Sequence, residues 1–156
     1  LMALNHSRHV IPRSTLVTLV QALVVSTLRY CISVYGSCGE TQLQRVQKII
    51  NFCARVVSGR RRRDHVSDVV QRLGWMTACE LVEHHTVSAV TKLVITGLPE
   101  SVYNTIGPPA ANTHAHDTRH ANRLTVPRIR TEAWRRRLCY RGVVMYNERL
   151  SRRTRV

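Results

Sequence analysis

The 156-residue sequence has few aromatic residues, few acids and almost no lysine. Aromatic residues make up 5% of it, which argues against folds that stack bases on a sheet of aromatic side chains, such as the RRM or the OB fold. Five cysteines, an odd number with no secretory signal before them, argue against a disulfide scaffold. We therefore expect a reducing, intracellular location, in the nucleus or the cytoplasm. The apolar run from Leu16 to Leu28 falls short of the roughly 20 residues that a bilayer requires, so we expect no membrane partner.

Motifs for catalysis and for metal binding are also missing from the sequence. It contains no Cys-x-x-Cys pair, no Gly-x-Ser-x-Gly elbow, no Walker loop and no Asp-Asp pair that could hold two metal ions. His114, His116 and His120 lie close together but have no cysteine nearby, and we interpret them as surface histidines. We expect no catalytic residue, no metal site and no cofactor in this chain alone.

Arginine is what the chain has in excess. There are 24 Lys+Arg against 9 Asp+Glu, which gives a formal net charge of +15. The net charge is +9 over residues 1–63, −4 over residues 64–118 and +10 over residues 119–156. Clustered guanidinium groups repel one another unless an anion neutralises them, and guanidinium pairs with phosphate through two parallel hydrogen bonds. The charge pattern predicts a polyanionic partner; the alternative is a solvated basic surface.

Hydrophobic spacing predicts an all-α fold, a small bundle of about four main helices followed by a long irregular basic C-terminal segment. The helices are expected over residues 16–35, 40–58, 66–73 and 77–96. Asp64 is expected to cap the third helix, and Thr77 with Glu80 has the spacing of a capping box for the fourth. Over residues 138–150 the pattern favours neither helix nor strand. We expect a helical thumb-like region over residues 1–106, and a basic connector and C-terminal tail over residues 107–156.

The second helix is the most clearly amphipathic element. One face is expected to be buried; it consists of Leu43, Val46, Ile50, Cys53 and Val57. The opposite face carries Arg45, Lys48 and Arg55, and Gly59 ends the helix just before four consecutive arginines.

Basic residues with scattered apolar anchors return between Arg123 and Arg137. The expected anchors include Leu124, Val126, Ile129 and Trp134. The candidate nucleic-acid-binding residues of the whole chain are Arg45, Lys48, Arg55, Arg60, Arg61, Arg62, Arg63, Arg128, Arg130, Arg135, Arg136 and Arg137. Such runs also occur as solubilising turns, nuclear-import signals or solvated loops, and these alternatives remain open.

Short motifs occur in a defined order along almost the whole chain. They are Pro12-Arg13-Ser14-Thr15-Leu16, Leu28-Arg29-Tyr30-Cys31, Tyr35-Gly36, Leu43, Val46-Gln47-Lys48, Asn51, Ala54-Arg55-Val56-Val57, Gly59, Asp64-His65-Val66, Leu73-Gly74-Trp75, Arg123-Leu124, Val126-Pro127, Arg130-Thr131, Tyr140-Arg141 and Tyr146-Asn147. In this order they resemble the region after the catalytic core in reverse transcriptases of non-LTR (LINE-type) retrotransposons.

The resemblance implies a role in RNA-directed DNA synthesis. In such enzymes a helical thumb grips the template–primer duplex, and a basic tail handles element RNA or target DNA. Arg45, Lys48, Arg55 and the arginines at 60–63 would then face the nucleic-acid backbone. The palm motif Tyr-x-Asp-Asp is absent from the sequence, so the resemblance implies a fragment whose parent polymerase supplies the aspartates and uses Mg. A first residue that is Leu1 rather than Met agrees with a cut polypeptide or a truncated reading frame.

Two alternatives belong to other functional classes. The chain could be a non-catalytic helical packing fragment of a decayed element, whose charge reflects separation from its palm domain. It could also be a stand-alone helix-turn-helix DNA-binding module formed by the third and fourth helices, although residues 66–73 offer few side chains for base edges.

Overall fold

The computed structural model describes residues 1–107 and 122–153, and in these ranges the chain forms helices and no strand. The fold is all-α, as predicted. The helices are α1 (Met2–Ser7), α2 (Arg13–Val20), α3 (Ser26–Arg29), α4 (Ile32–Tyr35), α5 (Glu40–Ser58), α6 (Ser67–Arg72), α7 (Ala78–Thr96), α8 (Glu100–Ile106), α9 (Glu132–Arg135) and α10 (Leu138–Arg153), with a π-helical turn (Gln21–Val25) between α2 and α3.

The chain divides into two compact units. The first unit comprises Leu1–Ile32 and Cys38–Val82, and the second comprises Ser33–Ser37 and Glu83–Val156. The division falls inside α7, whereas the sequence places a boundary between residues 106 and 107. Side chains of α7 therefore belong to both units.

The first predicted helix is interrupted. The helical path from α2 ends at Arg29, because Tyr30 has extended backbone angles and Cys31 has a positive φ of 53°. A separate single turn, α4, covers the end of the expected helix. The prediction of one continuous helix over residues 16–35 was therefore wrong.

Helix α5 begins and ends where the sequence predicts, at Glu40 and Ser58. Gly59 ends it with a φ of 70°, a left-handed conformation that glycine adopts without steric cost. Four of the five residues expected on its apolar face are buried, and Val46 is half-buried. In the first unit α5 packs against α2 and α6.

Of the two helix caps that the sequence predicts next, one is confirmed and the other is wrong. Thr77 and Glu80 form the predicted capping box: the backbone N–H of Thr77 donates to Glu80 Oε2 at 2.8 Å, and that of Glu80 donates to Thr77 Oγ1 at 3.3 Å. Asp64 does not cap α6, which begins at Ser67 without a side-chain cap. The Asp64 carboxylate instead accepts the N–H of Arg61 at 2.8 Å, because it lies inside the preceding turn.

The second unit has its own apolar core around α10. Its buried members are Val90, Leu93, Ile106, Leu124 and Val143. The sequence did not predict α10. Arginines and a glycine interrupt its apolar residues, so their helical spacing is not evident from the sequence. The irregular basic C-terminal segment is therefore shorter than expected in the described part of the chain. Of the expected apolar anchors, Leu124 is buried and Ile129 is half-buried, but Val126 and Trp134 are exposed.

Candidate nucleic-acid interface

Helix α5 presents three of the predicted binding residues on its outer side. Arg45 and Lys48 are exposed, and Arg45 donates to Gln42 Oε1 at 3.2 Å on the same helix. Arg55 is half-buried, and its guanidinium donates from Nε and Nη2 to the backbone carbonyl of Asp64, at 3.3 and 3.1 Å. Arg55 therefore ties the end of α5 to the turn that follows it.

Asp68 lies between two arginines on the first turn of α6. Arg60 pairs with it through two hydrogen bonds, Nη1 to Oδ1 at 2.5 Å and Nη2 to Oδ2 at 2.7 Å. Arg72, one helical turn further on, donates to Oδ2 at 2.7 Å. Hydrogen bonding from Arg60 is the main reason that the pKa of Asp68 falls from 3.8 to about 2, and the same bond raises the pKa of Arg60. Arg60 also donates to the backbone carbonyl of His65.

These contacts divide the run of four arginines into two classes. Arg60 is half-buried and holds the turn between α5 and α6. Arg61, Arg62 and Arg63 are exposed, and their side chains have no hydrogen-bond or ion-pair partner in the part of the chain that the structure describes. The turn thus displays three guanidinium groups to solvent while Arg55 and Arg60 fix its backbone.

The second unit holds the remaining predicted residues. Arg128 and Arg130 are exposed and border a groove of about 380 Å³ beside Trp134. Arg135 and Arg136 each approach the Glu132 carboxylate only loosely, at 3.7 Å. Ion pairs this long and this exposed contribute little to stability, so both groups stay available to another anion.

Arg137 has a different partner. Its guanidinium carbon lies 3.8 Å from the ring centroid of Trp134, which is a cation–π contact. The two residues are three positions apart, so the sequence could have indicated this pair. Of the five predicted arginines in the second unit, Arg137 is the one held against an aromatic ring.

Two cations that the sequence analysis missed line another groove of the second unit, between α7 and α10. This groove of about 390 Å³ is bordered by Lys92 of α7 and by Arg149 and Tyr146 of α10. The sequence analysis missed this groove because it did not predict α10, the helix that places Arg149 beside α7. Near the same pair of helices, Arg152 approaches Glu83 at 3.5 Å.

Metal-binding groups and reactive cysteines are two features that would indicate chemistry beyond binding. No group of three or more His, Cys, Asp or Glu side chains there could hold a metal ion. The predicted surface histidines His114, His116 and His120 lie outside the described residues. Cys53 is buried, and burial raises its pKa to about 11, so this thiol stays protonated at neutral pH and is a poor nucleophile. In residues 1–107 and 122–153 no helix is long and apolar enough to cross a membrane.

Sequence reasoning also missed the part played by Asp68. Asp68 and Arg72 are four residues apart on one helix, and this spacing could have indicated their ion pair. Arg60 and Asp68, by contrast, meet across a turn, and nothing local in the sequence marks that contact. Without it, all four arginines of the run looked equivalent.

No family model matches this chain, and neither a curated protein nor a solved structure matches it.

Proposed function

We propose that this chain binds nucleic acid through arginine–phosphate contacts and performs no reaction by itself. The observation that supports the proposal best is the exposed trio Arg61, Arg62 and Arg63, whose side chains have no partner in the described ranges. Exposed guanidinium groups that pair with no carboxylate favour an anionic ligand, and a phosphodiester backbone supplies regularly spaced anions.

The turn that carries this trio is pre-organised. Arg55 binds the carbonyl of Asp64, and Arg60 binds Asp68, so the backbone on both sides of the trio is fixed before any ligand arrives. Less conformational entropy is then lost when phosphates bind. Arg45 and Lys48, exposed on α5 in the same unit, add to the positive charge available.

We further propose that the chain is the thumb and basic C-terminal part of a retroelement reverse transcriptase. The ordered motif series supports this affiliation, and the ligand would be the template–primer duplex, element RNA or target DNA. The polymerase aspartates and their Mg would belong to a palm encoded elsewhere. Sequencing the genomic reading frame upstream of Leu1 tests the affiliation: a palm with its aspartate pair supports it, and an unrelated frame contradicts it.

A salt titration with an RNA–DNA hybrid tests nucleic-acid binding. If Arg45, Lys48 and the trio each neutralise one phosphate, the logarithm of the association constant should fall with the logarithm of salt concentration at a slope of about −4.5. Between about 50 and 200 mM salt, binding should weaken about 500-fold. No binding at low salt, or binding that is indifferent to salt, contradicts the proposal.

A helical packing module without ligand-binding activity is the second candidate. Exposed apolar side chains favour it: Leu23 is 59% exposed and Tyr30 is 77% exposed. Such a fragment should self-associate in size-exclusion chromatography whether or not duplex is added, whereas a binding protein should shift only with duplex. The helix-turn-helix alternative has less support, because Val69 and Val70 of the six-residue α6 are buried and Asp68 and Arg72 pair with each other.

A further inference from the structure

Trp134 is a large aromatic side chain that the fold leaves about half exposed. It is 47% exposed, whereas Trp75, the other tryptophan of the chain, is only 7% exposed. Trp134 belongs to the single turn α9 and is followed directly by Arg135, Arg136 and Arg137. An exposed indole in a strongly cationic surface contributes little to a folded core, so its presence there needs another explanation.

The surroundings of Trp134 combine a flat aromatic surface, a recess and positive charge. The guanidinium of Arg137 lies over the ring, 3.8 Å from its centroid. The indole also lines the groove of about 380 Å³, together with Ile129, Arg128 and Arg130. This volume falls in the range of roughly 300–1,000 Å³ that is typical of small-molecule sites.

Each of these features matches one part of a nucleotide. A base can stack on the indole, with Ile129 and Pro127 supplying apolar contacts in the groove. Phosphates attached to that base would meet Arg128 and Arg130, which also line the groove. Bases in a duplex already stack on their neighbours and have no free face, whereas unpaired bases do.

We propose that Trp134 and its groove form a stacking site for an unpaired nucleotide of single-stranded RNA or DNA. The inference rests on the proposed function and narrows it, since it assigns single strands to the second unit. Only one indole is involved, which distinguishes this site from the aromatic sheets of RRM and OB folds. The arginines supply affinity that depends on salt, and Trp134 supplies the preference for unpaired bases.

Fluorescence titration of the full chain tests the proposal directly. The probe is oligothymidylate, and the comparison ligand is a DNA duplex of equal length. Subtracting the spectrum of Trp134→Phe from that of the wild type isolates the emission of Trp134. We expect oligothymidylate to quench this emission and the duplex to leave it nearly unchanged, because only an unpaired base can stack on the ring.

Affinity measurements with two variants complete the test. Trp134→Ala should bind oligothymidylate about 5- to 150-fold more weakly, the fold-change for loss of one base–aromatic stack, with duplex affinity unchanged. Trp134→Phe keeps an aromatic face and should retain most of the affinity, while unchanged duplex binding by Trp134→Ala shows that its loss is not misfolding.

The outcomes separate this proposal from the proposed function. If Trp134→Ala binds oligothymidylate as tightly as the wild type, or if the single strand does not quench Trp134, the stacking site is disproved while arginine–phosphate binding stands. If Trp134→Ala loses the same fold of affinity for the single strand and for the duplex, the proposal is also overturned, because Trp134 then gives no preference for unpaired bases. If the wild type binds neither ligand at low salt, both proposals fail.

Discussion

Asn147 pairs with both backbone polar groups of Leu124. Its side-chain Oδ1 accepts the N–H of Leu124 at 3.0 Å, and its Nδ2 donates to the carbonyl of Leu124 at 2.9 Å. Leu124 is buried, and a buried backbone group that loses its hydrogen-bond partner costs free energy. The carboxamide of α10 therefore holds the irregular segment onto the core of the second unit.

Replacing Asn147 with Ala should lower the free energy of unfolding by about 2–3 kcal/mol, because it leaves a buried donor and a buried acceptor unpaired. Urea denaturation followed by circular dichroism measures this loss. Ser151→Ala is the matched control: it removes the partner of Arg123, a side chain that is only half-buried, and should cost about 1 kcal/mol or less. Equal losses in the two variants would contradict the role given to Asn147.

The Arg60–Asp68–Arg72 group makes stability depend on pH in the acid range. The pKa of Asp68 is lowered from 3.8 to about 2, so the folded state binds this proton more weakly than the unfolded state does. Its contribution to stability is fully present above about pH 4 and is lost as the pH falls through about 2. Asp68→Asn should therefore melt below the wild type at pH 6, and this difference in Tm should shrink at pH 2.

Thermal melts followed by circular dichroism measure this pH dependence. The control is Glu100→Gln, which removes an acid of α8 that forms no ion pair within the described ranges. A Tm difference between wild type and Asp68→Asn that is the same at both pH values would show that the ion pairs do not stabilise the fold.

Gly142 allows α10 to approach α7 closely. A Cβ at this position would lie 2.9 Å from Val90 Cγ2 and 3.2 Å from Leu138 Cδ1. Alanine is favoured over glycine inside a helix by about 1 kcal/mol, but overpacking a tight core costs about 1–3 kcal/mol. Because Val90 is fully buried and β-branched, the clash should prevail, and Gly142→Ala should destabilise the protein by about 1 kcal/mol.

A double-mutant cycle separates the clash from other effects. In the background of Val90→Ala the space next to Gly142 is open, so the same Gly142→Ala change should become neutral or stabilising. If it is equally destabilising in both backgrounds, the contact with Val90 is not the cause.

Trp75 is buried, and its indole N–H has no hydrogen-bond partner in the described part of the chain. Trp75→Phe removes this donor, whose unpaired burial costs about 1–3 kcal/mol, and thereby offsets much of the lost packing. We expect the free energy of unfolding to change by no more than about 1 kcal/mol, whereas Trp75→Ala should cost about 3–5 kcal/mol. Chemical denaturation of both variants decides this, and a large loss in Trp75→Phe would show that the N–H has a partner.

The exposed trio predicts a defined change in the salt dependence of binding. Replacing Arg61, Arg62 and Arg63 with Gln removes three phosphate contacts, so the slope of the salt titration should become shallower by about 2.7. The control, Arg8→Gln with Arg13→Gln and Arg29→Gln, removes the same net charge from arginines outside the predicted binding set and should leave the slope nearly unchanged. Equal changes in the two variants would mean that net charge, and not this turn, determines binding.

Local patterns in the sequence predicted the features that depend on interactions between residues close together in the chain. The bounds of α5 follow from its apolar periodicity and from the glycine after it, and the capping box of Thr77 and Glu80 follows from their three-residue spacing. The break at Cys31 was missed because apolar composition does not reveal a single left-handed residue. Helix α10 was missed because its buried face includes Gly142, which reads as a helix breaker until its close neighbour Val90 is known.

The candidate site was only partly predictable for the same reason. Composition identified the arginines, but their partners are set by tertiary contacts. The Arg60 side chain pairs with an acid eight residues away, whereas the side chains of its neighbours in the run pair with none in the described ranges. Trp134 was expected to be an apolar anchor, and its exposure depends on how residues 127–139 fold. Charge content thus predicts a class of ligand, while the division between structural and available arginines requires coordinates.

The side-chain carboxamide of Gln47 links α5 to the start of α7 within the first unit. It donates to Asn51 at 2.9 Å within α5 and accepts the backbone N–H of Ala78 at 2.8 Å, at the start of α7. That amide proton can exchange with deuterium only after its bond to α5 breaks. The exchange rate of the Ala78 amide proton therefore reports on the contact between the Gln47 side chain and the start of α7, two sites more than thirty residues apart in the sequence.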